Sequence, residues 1–208
     1  MRSIDPRVGA REAAPPPGRR VNVVGTCGSG KTTVGRLLAA RLGVPFVEMD
    51  ALSWRPNWTL APDEEIRALV DEATRGDGWV IDGNYSRFRD IVWARADTVV
   101  WLDYRFPVAF LQLVGRTLRR VLTGEQLWNE NRERLRTAFL SRDSILLWAI
   151  KTHRRRQREY PALLERSVHR RLRFVRLRSR RETEAWLARL QGDGGALGVW
   201  RSRTRIDR

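Results

Sequence analysis

Cysteine is almost missing from this chain. Cys27 is the only one, so no intrachain disulfide can form and no set of thiols exists to hold a structural zinc. The scarcity agrees with a reducing compartment. Long apolar runs are also absent. The most apolar stretch, Ile145 to Ile150, is far too short to cross a bilayer. The N-terminus, with Asp5, Glu12 and the run Pro15-Pro16-Pro17, lacks the apolar core of a signal peptide. The expected location is the cytoplasm, with no membrane partner. Lysine is scarce too. Only Lys31 and Lys151 occur, so the excess of Lys+Arg, 40 against 24 Asp+Glu, rests on arginine.

The resulting net charge of +16 admits three readings. Arginine can neutralise nucleic-acid phosphates. It can serve a phosphate-handling enzyme whose site needs guanidinium groups. It can also reflect codon bias and solvated basic helix faces. The basic residues spread from Arg116 to Arg208 instead of gathering in one arm, which weakens the first reading.

What is present is more specific. Residues 25–32 read Gly-Thr-Cys-Gly-Ser-Gly-Lys-Thr and satisfy G-x-x-x-x-G-K-[ST] at every fixed position. Glycines at 25, 28 and 30 permit turns that a Cβ disfavours, so the amides from Gly25 to Thr33 (through Thr26, Cys27, Ser29 and Lys31) can converge on phosphate oxygens. Lys31 can reach the β- and γ-phosphates, and the Thr32 hydroxyl can ligate Mg²⁺. The expected cofactors are therefore ATP and Mg²⁺. Context supports the motif: Val21 to Val24 reads as a buried strand, and Val34, Leu37, Leu38 and Leu42 fall at helical spacing.

Strands and helices then alternate. Strands are expected near 45–48, 79–81, 98–102 and 172–177, with helices starting near Pro62 and running over about 86–95, 110–121 and 183–190. A loop should hold Trp54, Pro56 and Trp58. The pattern predicts an α/β fold: a three-layer arrangement with a five-stranded parallel sheet. Ligands of such sheets sit at the carboxyl ends of the strands, where Asp50, Asp82 and Asp103 all fall. Asp82 is the first choice for a metal-side carboxylate and Asp103 the second, each weighed against a simple capping role. Residues 1–18 read as a disordered leader, 19–191 as the folded domain and 192–208 as a flexible tail. His153 and His169 lie in arginine-rich stretches and read as surface residues. Cys27 reads as loop filler, although the neighbouring amides and Lys31 favour its thiolate.

Asp82-Gly83-Asn84-Tyr85-Ser86-Arg87 resembles the nucleoside monophosphate kinase group of P-loop NTPases, where a strand ends in Asp-Gly and an arginine follows. Together with Met49-Asp50-Ala51-Leu52-Ser53-Trp54-Arg55-Pro56-Asn57-Trp58, it resembles more closely the adenylate-kinase-like branch labelled DNA topology modulation protein. The resemblance runs from about Arg20 to Leu190. It implies an ATP-dependent phosphotransferase acting on a nucleotide or another small acceptor. It places Asp50, Trp54 and Arg87 at the acceptor, with Arg89 as a spare. It implies a short helical lid over about 115–158, with Arg116 and Arg120, one turn apart, at the transferring group. Arg154-Arg155-Arg156 could close from the other side, but an exposed basic helix end fits them better. Arg178 would stack on the base, against a competing role for Ser179 as helix cap. The alternative function is a nucleotide-dependent nucleic-acid binder or a regulatory ATPase.

Overall fold

The computed structural model describes residues 14–131, 144–165 and 171–190. His169, the first thirteen residues of the expected leader, the expected tail and positions 132–143 of the expected lid lie outside the described residues.

The chain alternates as expected. Strand β1 (Arg20–Gly25) leads through the glycine loop into helix α1 (Lys31–Leu42) and strand β2 (Phe46–Glu48). A one-turn helix α2 (Met49–Ser53) and a hairpin of β3 (Trp54–Arg55) and β4 (Thr59–Leu60) occupy the stretch expected to be plain loop. Then come α3 (Asp63–Ala73), β5 (Trp79–Asp82), α4 (Arg89–Arg95), β6 (Thr98–Leu102), α5 (Phe106–Thr123), α6 (Ile145–Glu165), β7 (Arg173–Leu177) and α7 (Arg180–Arg189). Acidic Asp63, Glu64 and Glu65 fill the first turn of α3, where the helix dipole favours them. Ser179 caps α7 by accepting from the Glu182 amide at 3.1 Å.

The five long strands form one parallel sheet in the order β2-β5-β1-β6-β7. Strand β1 is central, and its run of β-branched residues is buried on both faces. Val21 and Val23 face a layer holding Val34 and Leu38 of α1 and Trp186 of α7. Val24 faces the opposite layer, built on Ile66, Val70, Val92, Trp93 and Tyr160. Register brings Glu48 beside Asp82, Asp82 beside Val23, and Gly25 beside Leu102. The carboxyl ends of the strands therefore share one rim, and the glycine loop opens there.

Pro15 and Gly18, both placed in the expected leader, make hydrogen bonds to the folded domain. Pro15 accepts a hydrogen bond from Trp186 Nε1 at 3.1 Å, and the Gly18 amide donates to Thr98 Oγ1 at 2.9 Å. These short bonds tie the segment before β1 across the sheet.

One polar residue lies inside β1. Asn22 Nδ2 donates to the Ile81 carbonyl at 3.1 Å, and its Oδ1 accepts from Trp93 Nε1 at 2.9 Å. All three groups are buried, so the amide satisfies an indole that would otherwise be stranded. Asn22→Val should cost about 1–3 kcal/mol in urea unfolding. Trp93→Phe should cost less in that background than in the wild type, because the indole N–H has already lost its partner.

Candidate functional site at the strand rim

The glycine loop is held from three sides. Gly28 has φ +84°, and a Cβ there would lie 2.1 Å from the Ala109 carbonyl of α5. Only glycine allows α5 to approach this closely. Gly30, also left-handed, turns the chain into α1. At the base of the loop, Asn84 clasps Gly25: its Oδ1 accepts from the Gly25 amide at 2.9 Å, and its Nδ2 donates to the Gly25 carbonyl at 2.6 Å. Tyr160 of α6 donates to the same Oδ1 at 2.9 Å. The loop runs into the N-terminus of α1, so its amides and the helix dipole act on one point.

Lys31 bends back over this loop, and its Nζ donates to the Thr26 carbonyl at 3.3 Å. Burial pulls its pKa below the usual lysine range. Cys27 opposes that shift, the Arg156 charge adds to it, and Asp82 and Asp50 oppose it. Beside it, Thr32 Oγ1 donates to Asp82 Oδ2 at 2.6 Å. Asp82 is 4% exposed at the end of β5. Burial raises its pKa to about 6, partly offset by the Thr32 hydrogen bond and by Lys31. The hydroxyl and the carboxylate are hard oxygen donors of the kind Mg²⁺ accepts along with water and phosphate oxygens.

On the acceptor side expected from the resemblance, Asp50 lies at the start of α2, and its Oδ1 accepts from Tyr85 at 2.5 Å. Burial and the Asp50 charge hold the proton on Tyr85. Trp54 stands edge-on to Trp58, with centroids 5.5 Å apart, and Trp58 edge-on to Trp128 at 6.5 Å. Asn131 ties these pieces together: it accepts from the Trp58 amide at 2.8 Å and donates to the Arg55 carbonyl at 2.9 Å. Arg87 points elsewhere. It is exposed and pairs with Asp63 at 3.0 Å, while Asp90 is taken by Arg67. Arg89 is more enclosed, paired with Glu159 at 2.7 Å and lying over the rings of Trp93 and Tyr160.

Three expectations need correction. Asp103 does not join the charges around Lys31; it accepts from Arg176 Nε at 2.9 Å, on the outer strand β7. His153 is not a surface residue. It is 7% exposed, and its Nδ1 lies 2.9 Å from Thr26 Oγ1. Burial lowers its pKa, so the ring is neutral near neutral pH. Arg156 is not an exposed helix end. It is 6% exposed, and its Nη1 is buried with no hydrogen-bond partner among the described residues. Arg154 and Arg155 are exposed, as expected.

The arginines expected to be catalytic are placed less centrally. Arg116 is exposed on α5, and Arg120 Nε lies 3.5 Å from Glu125 Oε1. At the far corner, Arg178 is exposed while its amide donates to Glu182 Oε2 at 2.7 Å. Sequence reasoning missed His153, Arg156 and Tyr160. The signal for them was phase: Ala149, His153, Arg156, Tyr160 and Leu163 recur on one face of α6, and all are buried.

The raised pKa of Asp82 has a consequence for stability. Its folded value of about 6 lies above the ordinary aspartate value of 3.8, so the unfolded chain gives up this proton first as pH rises. The contribution is intact below about pH 4 and is lost as pH climbs through 6. Without nucleotide or metal, Asp82→Asn should stabilise the protein at pH 7 by roughly 2–3 kcal/mol. The gain should vanish near pH 4, as read from thermal melts across that range.

Comparison with known proteins agrees with this geometry. The family described as "ATPase family associated with various cellular activities (AAA)" matches residues 21–93, from β1 to α4. A shikimate kinase of Synechococcus elongatus is 30% identical over 139 residues, covering 57% of this chain and 73% of that one. A putative adenylate kinase of Thermococcus gammatolerans is 32% identical over 114 residues, covering 51% and 62%. The crystal structure of shikimate kinase from Bacteroides thetaiotaomicron superposes with a TM-score of 0.50 at 19% identity, over 83% of this chain and 96% of that one, and shares the fold. With the glycine loop, the parallel sheet and the shikimate kinase likeness in agreement, the chain belongs to the P-loop kinase family that includes shikimate kinase.

Proposed function

We propose that the protein transfers the terminal phosphoryl group of ATP, with Mg²⁺, to a small acceptor bound on the Asp50 side of the rim. The observation that carries this reading is the closeness of two cations, half-buried Lys31 and buried Arg156, whose charges act on each other at the glycine loop. Like charges in a dry site repel, and a polyanion bound between them reverses that cost.

The roles follow from charge and reach. The amides from Gly25 to Thr33 would hold the inner phosphates, and Lys31 would bridge the outer two. Thr32 and Asp82 would hold Mg²⁺, which keeps Asp82 ionised once bound. Arg156, with a buried nitrogen still to be satisfied, suits the transferring group better than Arg116 or Arg120. Those two remain candidates for a lid that closes further. Arg178 can stack its exposed guanidinium on the base.

Asp50 can take the proton of an attacking hydroxyl, with Tyr85 fixing the carboxylate's orientation. The finer reading is a nucleotide acceptor. The indole of Trp54 and the likeness to a putative adenylate kinase support it, and Arg87 would leave Asp63 to bind the acceptor's phosphate. The likeness to shikimate kinase supports a hydroxyl acceptor without a base. A screen with ATP, Mg²⁺, nucleoside monophosphates and small polyols separates these, and a phosphorylated product of either class establishes the transfer. ATP loss without any phosphorylated acceptor would instead mark a regulatory ATPase.

Lys31→Met and Arg156→Met should each lower turnover by roughly 10³-fold or more. Both replace a desolvated cation by an apolar chain of similar length, so neither should lower the melting temperature of the free protein. Full turnover in a folded Lys31→Met variant would overturn the reading.

A further inference from the structure

His153 has no place in the roles above, yet it is built into the loop. Its imidazole is clamped between three elements. Nδ1 shares a hydrogen bond with Thr26 Oγ1 at 2.9 Å, and the ring packs on Phe106, the first residue of α5, at 4.9 Å between centroids. Thr26 is the loop residue whose carbonyl accepts from both Lys31 Nζ, at 3.3 Å, and the Ser29 amide, at 3.0 Å. His153 therefore grips the same residue that holds the lysine.

Arg156 follows three residues later on α6, so the two side chains share one helix face about 4.5 Å apart along the axis. A helix moves as a rigid unit over one turn. Any slide or rotation that breaks the Thr26 bond also displaces the Arg156 guanidinium relative to the loop. Burial and the Arg156 charge lower the proton affinity of His153, while Asp103 opposes them. The neutral ring fixes α6 without adding a third cation beside Lys31 and Arg156.

We infer that His153 is a positioning residue: its bond to Thr26 sets the register of α6, and so places Arg156 against the outermost phosphate of a bound triphosphate. This rests on the proposed reading of Arg156 as a phosphate-binding group. Placement errors of about 1 Å can cost on the order of 10²-fold in such sites, so one hydrogen bond is enough to matter.

The test needs no acceptor. Calorimetric titration of the full chain with ATP and with ADP, Mg²⁺ present, gives an affinity ratio that reports contact with the third phosphate. Wild type should favour ATP. His153→Leu should cut that ratio by about tenfold or more, with ADP affinity changed by less than about threefold. His153→Asn keeps a polar atom where Nδ1 sits and should restore the ratio. Thr26→Val, approached from the other side of the bond, should reproduce the loss, and Thr26→Ser should reverse it. That pair decides the matter if His153→Leu does not fold. Arg156→Met is the control for the underlying reading. If Arg156→Met abolishes the preference for ATP while His153→Leu and Thr26→Val leave it intact, the inference about His153 fails alone. Equal losses of ATP and ADP affinity in those two variants would also overturn it, since they mark a structural role. If Arg156→Met leaves the ratio unchanged, the reading of Arg156 fails first.

Discussion

An ammonium group taken out of water at the end of a parallel sheet sets the terms for everything around it. Lys31 sits in the first turn of α1, and desolvation pulls its pKa down. Ion–ion attraction can keep the charge only if carboxylates stand close, and Asp82 and Asp50 do. Those carboxylates in turn arrive through sheet register. Asp82 ends β5 opposite Val23 of β1 and Glu48 of β2, so a slip of one residue would turn its side chain to the other face. The apolar packing of the two layers thus fixes the electrostatics of the rim.

The desolvation that makes the site costly is also what makes it useful. Asp82 is held near pH 6 by burial, Tyr85 keeps its proton beside Asp50, and Arg156 keeps a buried nitrogen unsatisfied. The buried Asp82 carboxylate and the unsatisfied Arg156 nitrogen are small destabilisations of the free protein near neutral pH, whereas a protonated Tyr85 is not. Under the proposed reading, both would be relieved by the same occupant, a polyphosphate with its cation. The energy withheld in the free state is then available as selectivity for a ligand of that charge. Local conformational strain follows the same pattern on the acceptor side. Asn57, Trp58, Asn129 and Glu130 all have positive φ although none is glycine. They fall in two touching turns that Asn131 binds together, so the strain is held by tertiary contacts rather than by either turn alone.

Much of this was legible in the sequence, and the reasons differ by element. The glycine loop could be read because each fixed position has its own chemical cause. The sheet could be read because β1 and β6 are short β-branched runs between helical patterns. The hairpin Trp54–Leu60 escaped because its strands are two residues long, too short for any alternation to show. The pairing of Arg87 with Asp63 could not be read, because a motif fixes position along the chain and not direction. Two residues separate Arg87 from Arg89, yet one is exposed against Asp63 and the other is enclosed over Trp93 and Tyr160.

Composition concealed the rest. In a chain this rich in arginine, Arg154-Arg155-Arg156 looks like one solvated cluster, and charge alone cannot single out a member. Helical phase can. His153 and Arg156 fall in step with Ala149, Tyr160 and Leu163, whereas Arg154 and Arg155 fall out of step. Polar residues on an apolar stripe must find partners, because an unpaired buried polar group costs about 1–3 kcal/mol. Tyr160 finds Asn84, the residue that clasps Gly25, and His153 finds Thr26, so one point of the helix face grips the loop directly and another through Asn84. Arg156 lies between them with a nitrogen to satisfy. A helix anchored on either side of a guanidinium holds that group at a fixed height over the loop, which under the proposed function would meet the geometric requirement for stabilising charge as it moves from donor to acceptor.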